Sequence, residues 1–177
     1  HYLEVKRETG GYAHGARAWV SLLPQDAADT TDGVVEVSAR LRVPATNAFC
    51  VDIDAYDNTP DDYKNRAFHA RFWPDGKVSH YARPKPKELE KQHDPEEWTK
   101  TQRIDIPELN FTPDTWFDVA IRADMDTATF DLTVDGKTVK GLPFAHQRVH
   151  RIQAIAFCPN TDNCIIHVDA VRVAVRP

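Results

Sequence analysis

Trp116-Phe-Asp-Val-Ala-Ile-Arg122, Thr129-Phe-Asp-Leu-Thr-Val-Asp135-Gly136, Ile152-Gln-Ala-Ile-Ala-Phe-Cys158 and Cys164-Ile-Ile-His-Val-Asp-Ala-Val-Arg-Val-Ala-Val175 are the segments that decide the fold. In the first, Phe117, Val119 and Ile121 alternate with Trp116, Asp118, Ala120 and Arg122. In the second, Phe130, Leu132 and Val134 alternate with Asp131 and Thr133. An apolar residue at every second position marks an antiparallel strand with one face on a core. Asp124-Met-Asp-Thr127 and Asp135-Gly136 supply the turns, and Asp-Gly between alternating runs is a strong hairpin signal.

The same period extends toward the N-terminus. Val35, Val37, Ala39, Leu41 and Val43 share one strand face, with Glu36, Ser38, Arg40 and Arg42 opposite, and the run stops at Pro44. Over 49–56, Phe49, Val51, Ile53 and Ala55 oppose Cys50, Asp52, Asp54 and Tyr56. Over 67–73, Phe68, Ala70 and Phe72 oppose His69, Arg71 and Trp73, and Pro74-Asp75-Gly76-Lys77 returns the chain through Val78 to Arg83. Leu3–Arg7 and Ala16–Leu22 read as an N-terminal strand pair, and 104–106 as a short edge strand beside Pro107. The stretch from Pro84 to Lys100 reads as a long surface excursion with a short helix near Lys87–His93. About twelve short strands with sparse helical signal predict one all-β domain over 1–177, an antiparallel β-sandwich of jelly-roll type.

Composition narrows the function classes. A hydrophobic content of 41% with dispersed charge is that of a globular chain, no apolar run approaches a membrane span, and no signal-peptide pattern opens the sequence. A formal charge of −5 without a basic stripe argues against nucleic acid as a partner. The Lys85, Lys87 and Lys91 cluster is interrupted by Glu88 and Glu90 and reads as a solvated loop. Cys158 and Cys164 bracket a turn-rich stretch, so a hairpin there would bring them to disulfide distance. Such a bridge favours an oxidising location, secreted, periplasmic or at the cell surface, and leaves Cys50 as a packed side chain.

Trp116 with its alternating strand, Phe130-x-Leu-x-Val-Asp135-Gly136, Phe144 and the terminal His167-Val-Asp169-Ala-Val171-x-Val resemble concanavalin A-like lectin and glucanase domains, especially the laminin-G-like branch. The resemblance covers 116–175 well and 34–56 loosely. It implies a jelly roll of two curved sheets that binds sugar, mediates adhesion or accompanies a glycan-active catalytic domain. It also implies a structural Ca²⁺, for which Asp169 with Glu4 or Glu8 are the matching carboxylates. The acidic Glu-x-Asp-x-x-Glu strand of the hydrolytic members does not occur, and Asp52-Ile-Asp54 is the nearest acidic alternation.

Three functions compete on these residues. A sugar-binding module needs aromatic platforms and planar polar groups. Tyr56, Trp73, Tyr81 and Trp98 offer the platforms, with Asp52, Asp54, His69 and Arg71 as polar partners. A lyase acting on a uronic-acid polysaccharide by β-elimination needs a cation for the carboxylate, a base for the C5 proton and an acid for the leaving oxygen. Arg71, His69 and Tyr81 are the candidates, and His80 and Tyr81 face opposite ways, so only one of them can join His69. The third function is a structural or adhesion domain, since a solvated polar sheet face accounts for the same residues. His14, His69, His80, His93, His146, His150 and His167 show no tight zinc spacing, while His1 would chelate copper only as a mature N-terminus. Trp19 and Trp116 sit in regular strand contexts and read as packing residues.

Overall fold

The computed structural model describes residues 2–7, 18–21, 33–56, 66–82, 102–145, 149 and 152–176. Its strands are β1 (Leu3–Lys6), β2 (Ala18–Ser21), β3 (Val34–Arg42), β4 (Val51–Tyr56), β5 (Arg66–Phe72), β6 (Lys77–Ala82), β7 (Gln102–Asn110), β8 (Trp116–Asp124), β9 (Thr129–Val134), β10 (Lys137–Pro143), β11 (Ala154–Pro159) and β12 (Ile165–Arg176). They form two six-stranded antiparallel sheets, the first in the order β1-β12-β3-β8-β9-β10 and the second β2-β11-β4-β5-β6-β7. This is the two-sheet sandwich that the alternation predicts. The excursion 83–101, with its expected helix, lies outside the described residues.

The inward set of each strand makes the core. Val35, Val37, Ala39 and Leu41 of β3 and Phe117, Val119 and Ile121 of β8 meet Val51, Ile53, Phe68, Ala70 and Phe72 of the second sheet in one buried cluster. Aromatic contacts bridge the layers: Phe68 lies 5.6 Å from Phe130, and Phe117 lies 5.7 Å from Phe72 and 4.2 Å from Phe111. Burial of such rings is the main stabilising term of a sandwich.

Turn chemistry fixes the registers. Asp135 and Gly136 both have positive φ, 47° and 80°, the two left-handed positions of a tight β9–β10 hairpin. Gly76 has φ +86°, and a Cβ there would stand 2.4 Å from the Phe111 carbonyl oxygen, which accepts no such approach. The Gly76 carbonyl accepts from the Phe111 amide at 3.0 Å, so this hairpin is tied to the chain leaving β7. The strand around Pro107 runs from Gln102 to Asn110, longer than 104–106, and it is an edge strand, where a missing proline N–H costs no ladder bond.

The expected disulfide is absent: Cys50, Cys158 and Cys164 are buried thiols with no disulfide among them. Residues 159–164 do not close a hairpin. Cys158 lies on β11 of the second sheet, whereas Cys164 leads into β12 of the first, so the two strands that flank this turn are not neighbours in one ladder. Cys158 clusters with Tyr56 and Ala156 on the outer side of the second sheet, while the Cys164 sulfur lies 3.1 Å from Thr161 Oγ1. The disulfide-based argument for an oxidising compartment falls with it.

Candidate functional site

Polar alternation places a charged network on the outer face of the second sheet. In register, Asp52 faces Arg71 and Asp54 faces His69 across β4 and β5, and Arg71 faces Ser79 across β5 and β6. A register shift between Asp54 and Tyr56 sets Tyr56 opposite Arg66 and brings that arginine into the network. Tyr81 and Arg103 pair across β6 and β7. His80 points the other way, into the core, with its ring 5.8 Å from Phe130. Burial, then His69, hold its pKa down to about 4, which keeps it neutral. Tyr81 is therefore the residue that joins His69, their rings stacked 4.9 Å apart.

The centre of the network is sealed. Asp52 and Asp54 are each 1% exposed and His69 3%. His69 Nε2 lies 2.8 Å from Asp52 Oδ2, and Arg71 Nε lies 3.1 Å from Asp52 Oδ1. Arg66 Nη1 stands 2.7 Å from His69 Nδ1, and since a guanidinium can only donate, Nδ1 is the acceptor. The Asp52 carboxylate can only accept, so Nε2 carries the proton and donates it to Asp52, and Arg71 Nε, which also stands 3.0 Å from Nε2, donates to Asp52 Oδ1. Both ring nitrogens are thus committed to buried protein partners. Asn160 Nδ2 also donates to Asp52 Oδ2. Burial raises the Asp52 carboxyl, yet His69, by charge when protonated and by its hydrogen bond, then Arg71 and Arg66, hold it below its ordinary value.

Asp54 is arranged differently. Its Oδ2 accepts the Tyr56 hydroxyl at 2.7 Å and lies 3.6 Å from Arg66 Nε, while Oδ1 is buried without a hydrogen bond. Burial, then the Asp54 charge, push the Tyr56 phenol up, so it stays a donor. Burial, then Asp52, push the Cys50 thiol up to about 12, so this cysteine is no thiolate nucleophile.

The outward layer is carried by two arginine–aromatic pairs. Arg71 donates from Nη1 to the Tyr81 hydroxyl at 2.9 Å, with its guanidinium 4.2 Å from the ring centre. Arg103 lies 3.8 Å over the Trp73 ring and pairs with Asp105. Trp73 in turn donates its indole N–H to Ser79 Oγ at 2.8 Å. Of the expected ligand-binding residues, the structure brings Asp52, Asp54, Tyr56, His69, Arg71, Trp73 and Tyr81 to one sheet face, and Trp98 lies outside the described residues. Asp52, Asp54, Tyr56 and His69 form its buried floor, whereas Arg71, Trp73 and Tyr81 are only part-buried. Arg66, Arg103 and Asn160 were not legible as members: Arg66 enters through a bulge, Asn160 through the turn after β11, and Arg103 through an edge strand longer than its alternation signalled.

Asp52, Asp54 and His69 each offer a donor atom, all within 4.8 Å of one another, and are the described group that could hold a divalent cation such as Ca²⁺. Two guanidiniums already balance the two carboxylates, and calcium takes six to eight oxygen ligands. Glu4 and Asp169, expected to bind it, lie on the first sheet: Glu4 Oε2 lies 3.0 Å from His167 Nε2, and the Asp169 carboxylate accepts the Ala170 amide. His1, Glu8, His14, His93, His146 and His150 lie outside the described residues.

No protein-family model and no curated protein matches the chain by sequence. Its fold matches those of solved lectins and lyases. A variant of human galectin-16 superposes with a TM-score of 0.57 at 14% identity, over 96% of this chain and 98% of that one. The family 7 alginate lyase A1-II′, solved with substrate, gives 0.57 at 12% identity over 94% of this chain and 72% of the lyase. Alginate lyase AlyC3 gives 0.59 at 9% identity over 98% and 74%. The likeness is one of architecture, a lectin-type sandwich, and it is not specific to the concanavalin A-like or laminin-G-like branch that the sequence resembles.

Proposed function

We propose that this chain is a single carbohydrate-binding domain whose ligand lies across β5, β6 and β7 on the outer face of the second sheet. The observation that carries the reading is the layered arrangement of Arg71. Its Nε is fixed by the buried Asp52 and its Nη1 by Tyr81, so the guanidinium is presented already oriented. Preorganised groups cost a ligand little entropy to engage. Trp73 and Tyr81 supply the rings against which a pyranose packs, and Arg71, Arg103 and the Tyr81 hydroxyl supply the polar contacts. The named galectins and alginate lyases, proteins that share this architecture, support a glycan partner, and on this reading the domain works outside the cytoplasm, alone or beside a catalytic domain.

A glycan array probed with the wild type and with Arg71→Gln tests the proposal. Binding that Arg71→Gln weakens by about tenfold or more is the expected result, since a hydrogen bond to a charged group contributes roughly 1.5–3 kcal/mol. An array on which no hit is weakened by Arg71→Gln would refute it.

The second reading, β-elimination on a uronic glycan, is favoured by one observation, the direct Arg71–Tyr81 contact beside His69. Against it stands the His69 ring, whose nitrogens are both engaged and sealed from ligand. Ultraviolet absorbance of unsaturated products from a panel of uronic polysaccharides decides the matter.

A further inference from the structure

The first sheet carries a second row of binding chemistry on its own outer face, back to back with the site above. Glu4, His167, Arg42 and Trp116 stand in one register row across β1, β12, β3 and β8. Four adjacent strands span roughly 14 Å at the usual strand spacing, the length of two or three sugar rings. Tyr2, 53% exposed, meets both aromatic neighbours edge-on, 5.5 Å from Trp116 and 5.1 Å from His167. Beside the row, Arg40 sits 5.8 Å from the Trp116 ring and 3.4 Å from Asp118. A groove of about 300 Å³ lined by Arg40, Asp118, Ser38 and Arg172 continues from there along the sheet.

Polar accounting in this row leaves two atoms over. Glu4 meets His167 Nε2, and Asp118 meets Arg40. Arg42 has no carboxylate among the described residues, and its Nε is buried without a hydrogen bond. His167 is 7% exposed, and its Nδ1 is likewise buried and unpartnered. Such atoms are rare in folded proteins and call for a partner. Among the described residues one positive charge is therefore unmatched, in a row that also holds a half-buried indole.

We propose that Arg42, framed by His167, Trp116 and Tyr2, forms a site for an oxyanion substituent, carboxylate or sulfate, borne on a sugar ring that packs on Trp116. The guanidinium fork fits either group through paired N–H donors. Arg42 as a residue is only part-buried, although its Nε is sealed, so the contact to the oxyanion falls to the terminal nitrogens of the guanidinium. This site does not depend on Arg71 or on the second sheet, and together the two faces would make the domain bivalent.

The test is a titration of the whole chain followed by the Trp116 indole and the backbone amides of β3, β8 and β12 in a ¹⁵N-correlation spectrum. The probes are a sulfated disaccharide, a glucuronic-acid disaccharide, the matching neutral disaccharide and inorganic sulfate. One or both charged disaccharides should move these signals, with the choice between them naming the source of the oxyanion. Arg42→Gln should weaken that binding about tenfold, Arg42→Lys should retain part of it by keeping charge without the fork, and Arg71→Gln should leave it unchanged. Equal shifts with the neutral sugar overturn the oxyanion assignment, inorganic sulfate binding as tightly as the sugar overturns the Trp116 platform, and no response to any probe overturns the site. Loss of binding in Arg71→Gln alone would assign the ligand to the second sheet instead.

Discussion

Replacing Asp52 by Asn leaves its shape and removes the charge on which the second-sheet network rests. In the wild type this carboxylate, 1% exposed, accepts from His69, Arg71 and Asn160. The variant leaves the Arg71 guanidinium part-buried without its counter-ion and turns one accepting oxygen into an amide donor that faces other donors. Breaking a buried ion pair on one side costs about 3–5 kcal/mol. For a chain of this size each kcal/mol moves the melting temperature by roughly 2–4 °C, so a drop of roughly 6–20 °C is expected. Urea unfolding gives the free energy directly, with an unchanged slope showing that the denatured state is unaltered. The pH dependence carries a second signature. Asp52 titrates below its ordinary value in the folded state, so its contribution is fully present above the unfolded carboxyl value, about 3.9, and fades as pH falls through the lower folded value. The gap between wild type and Asp52→Asn should therefore be full at pH 6 and close only in strong acid. The pair Asp52→Asn with Arg71→Gln should lose less than the sum of the single variants, because each removes the other's unmatched partner. A loss below about 1 kcal/mol in the single variant, or strict additivity in the double, would refute the account of Asp52 as the keystone of this face.

Other consequences are open to measurement. His80 is neutral in the core with a pKa of about 4, below the unfolded value near 6.5, so the unfolded chain takes up the proton first and stability falls as pH drops between these values, by up to about 3 kcal/mol; His80→Leu should flatten that part of the profile, and an unchanged slope would reject the burial argument. Gly76→Ala should destabilise by roughly 1–3 kcal/mol, since it combines a left-handed φ with a Cβ against the Phe111 carbonyl; a neutral effect in thermal melts would mean that the hairpin tip relaxes. All three cysteines should resist alkylation in the native state and react with three equivalents in denaturant, as buried thiols without a disulfide do; mass spectrometry showing two of them bridged would overturn this.

Much of the architecture follows from alternation alone. The inward sets of β3, β8 and β9 are the apolar sets of their sequences, and Asp135-Gly136 turns where its positive φ values require it. Face assignment also carried to the candidate site, since His69, Arg71, Trp73 and Tyr81 do share one side. Period two says which residues share a face and nothing about whether that face is wet. Val51-Asp-Ile-Asp-Ala-Tyr56 reads as a half-exposed strand, yet it is buried on both sides, and its aspartates serve arginines rather than solvent.

The sequence by itself determined an all-β sandwich, the inward and outward residues of most strands, and the positions of the tight turns, because backbone period and turn chemistry are local properties. Only the tertiary structure decided which strands are neighbours. That choice sends Cys158 and Cys164 to different sheets and aligns Glu4, His167, Arg42 and Trp116 from four distant segments. It also slips β4 against β5 so that Arg66 joins Asp54. Strand order and bulges depend on long-range packing of the whole core, and no window of sequence contains them.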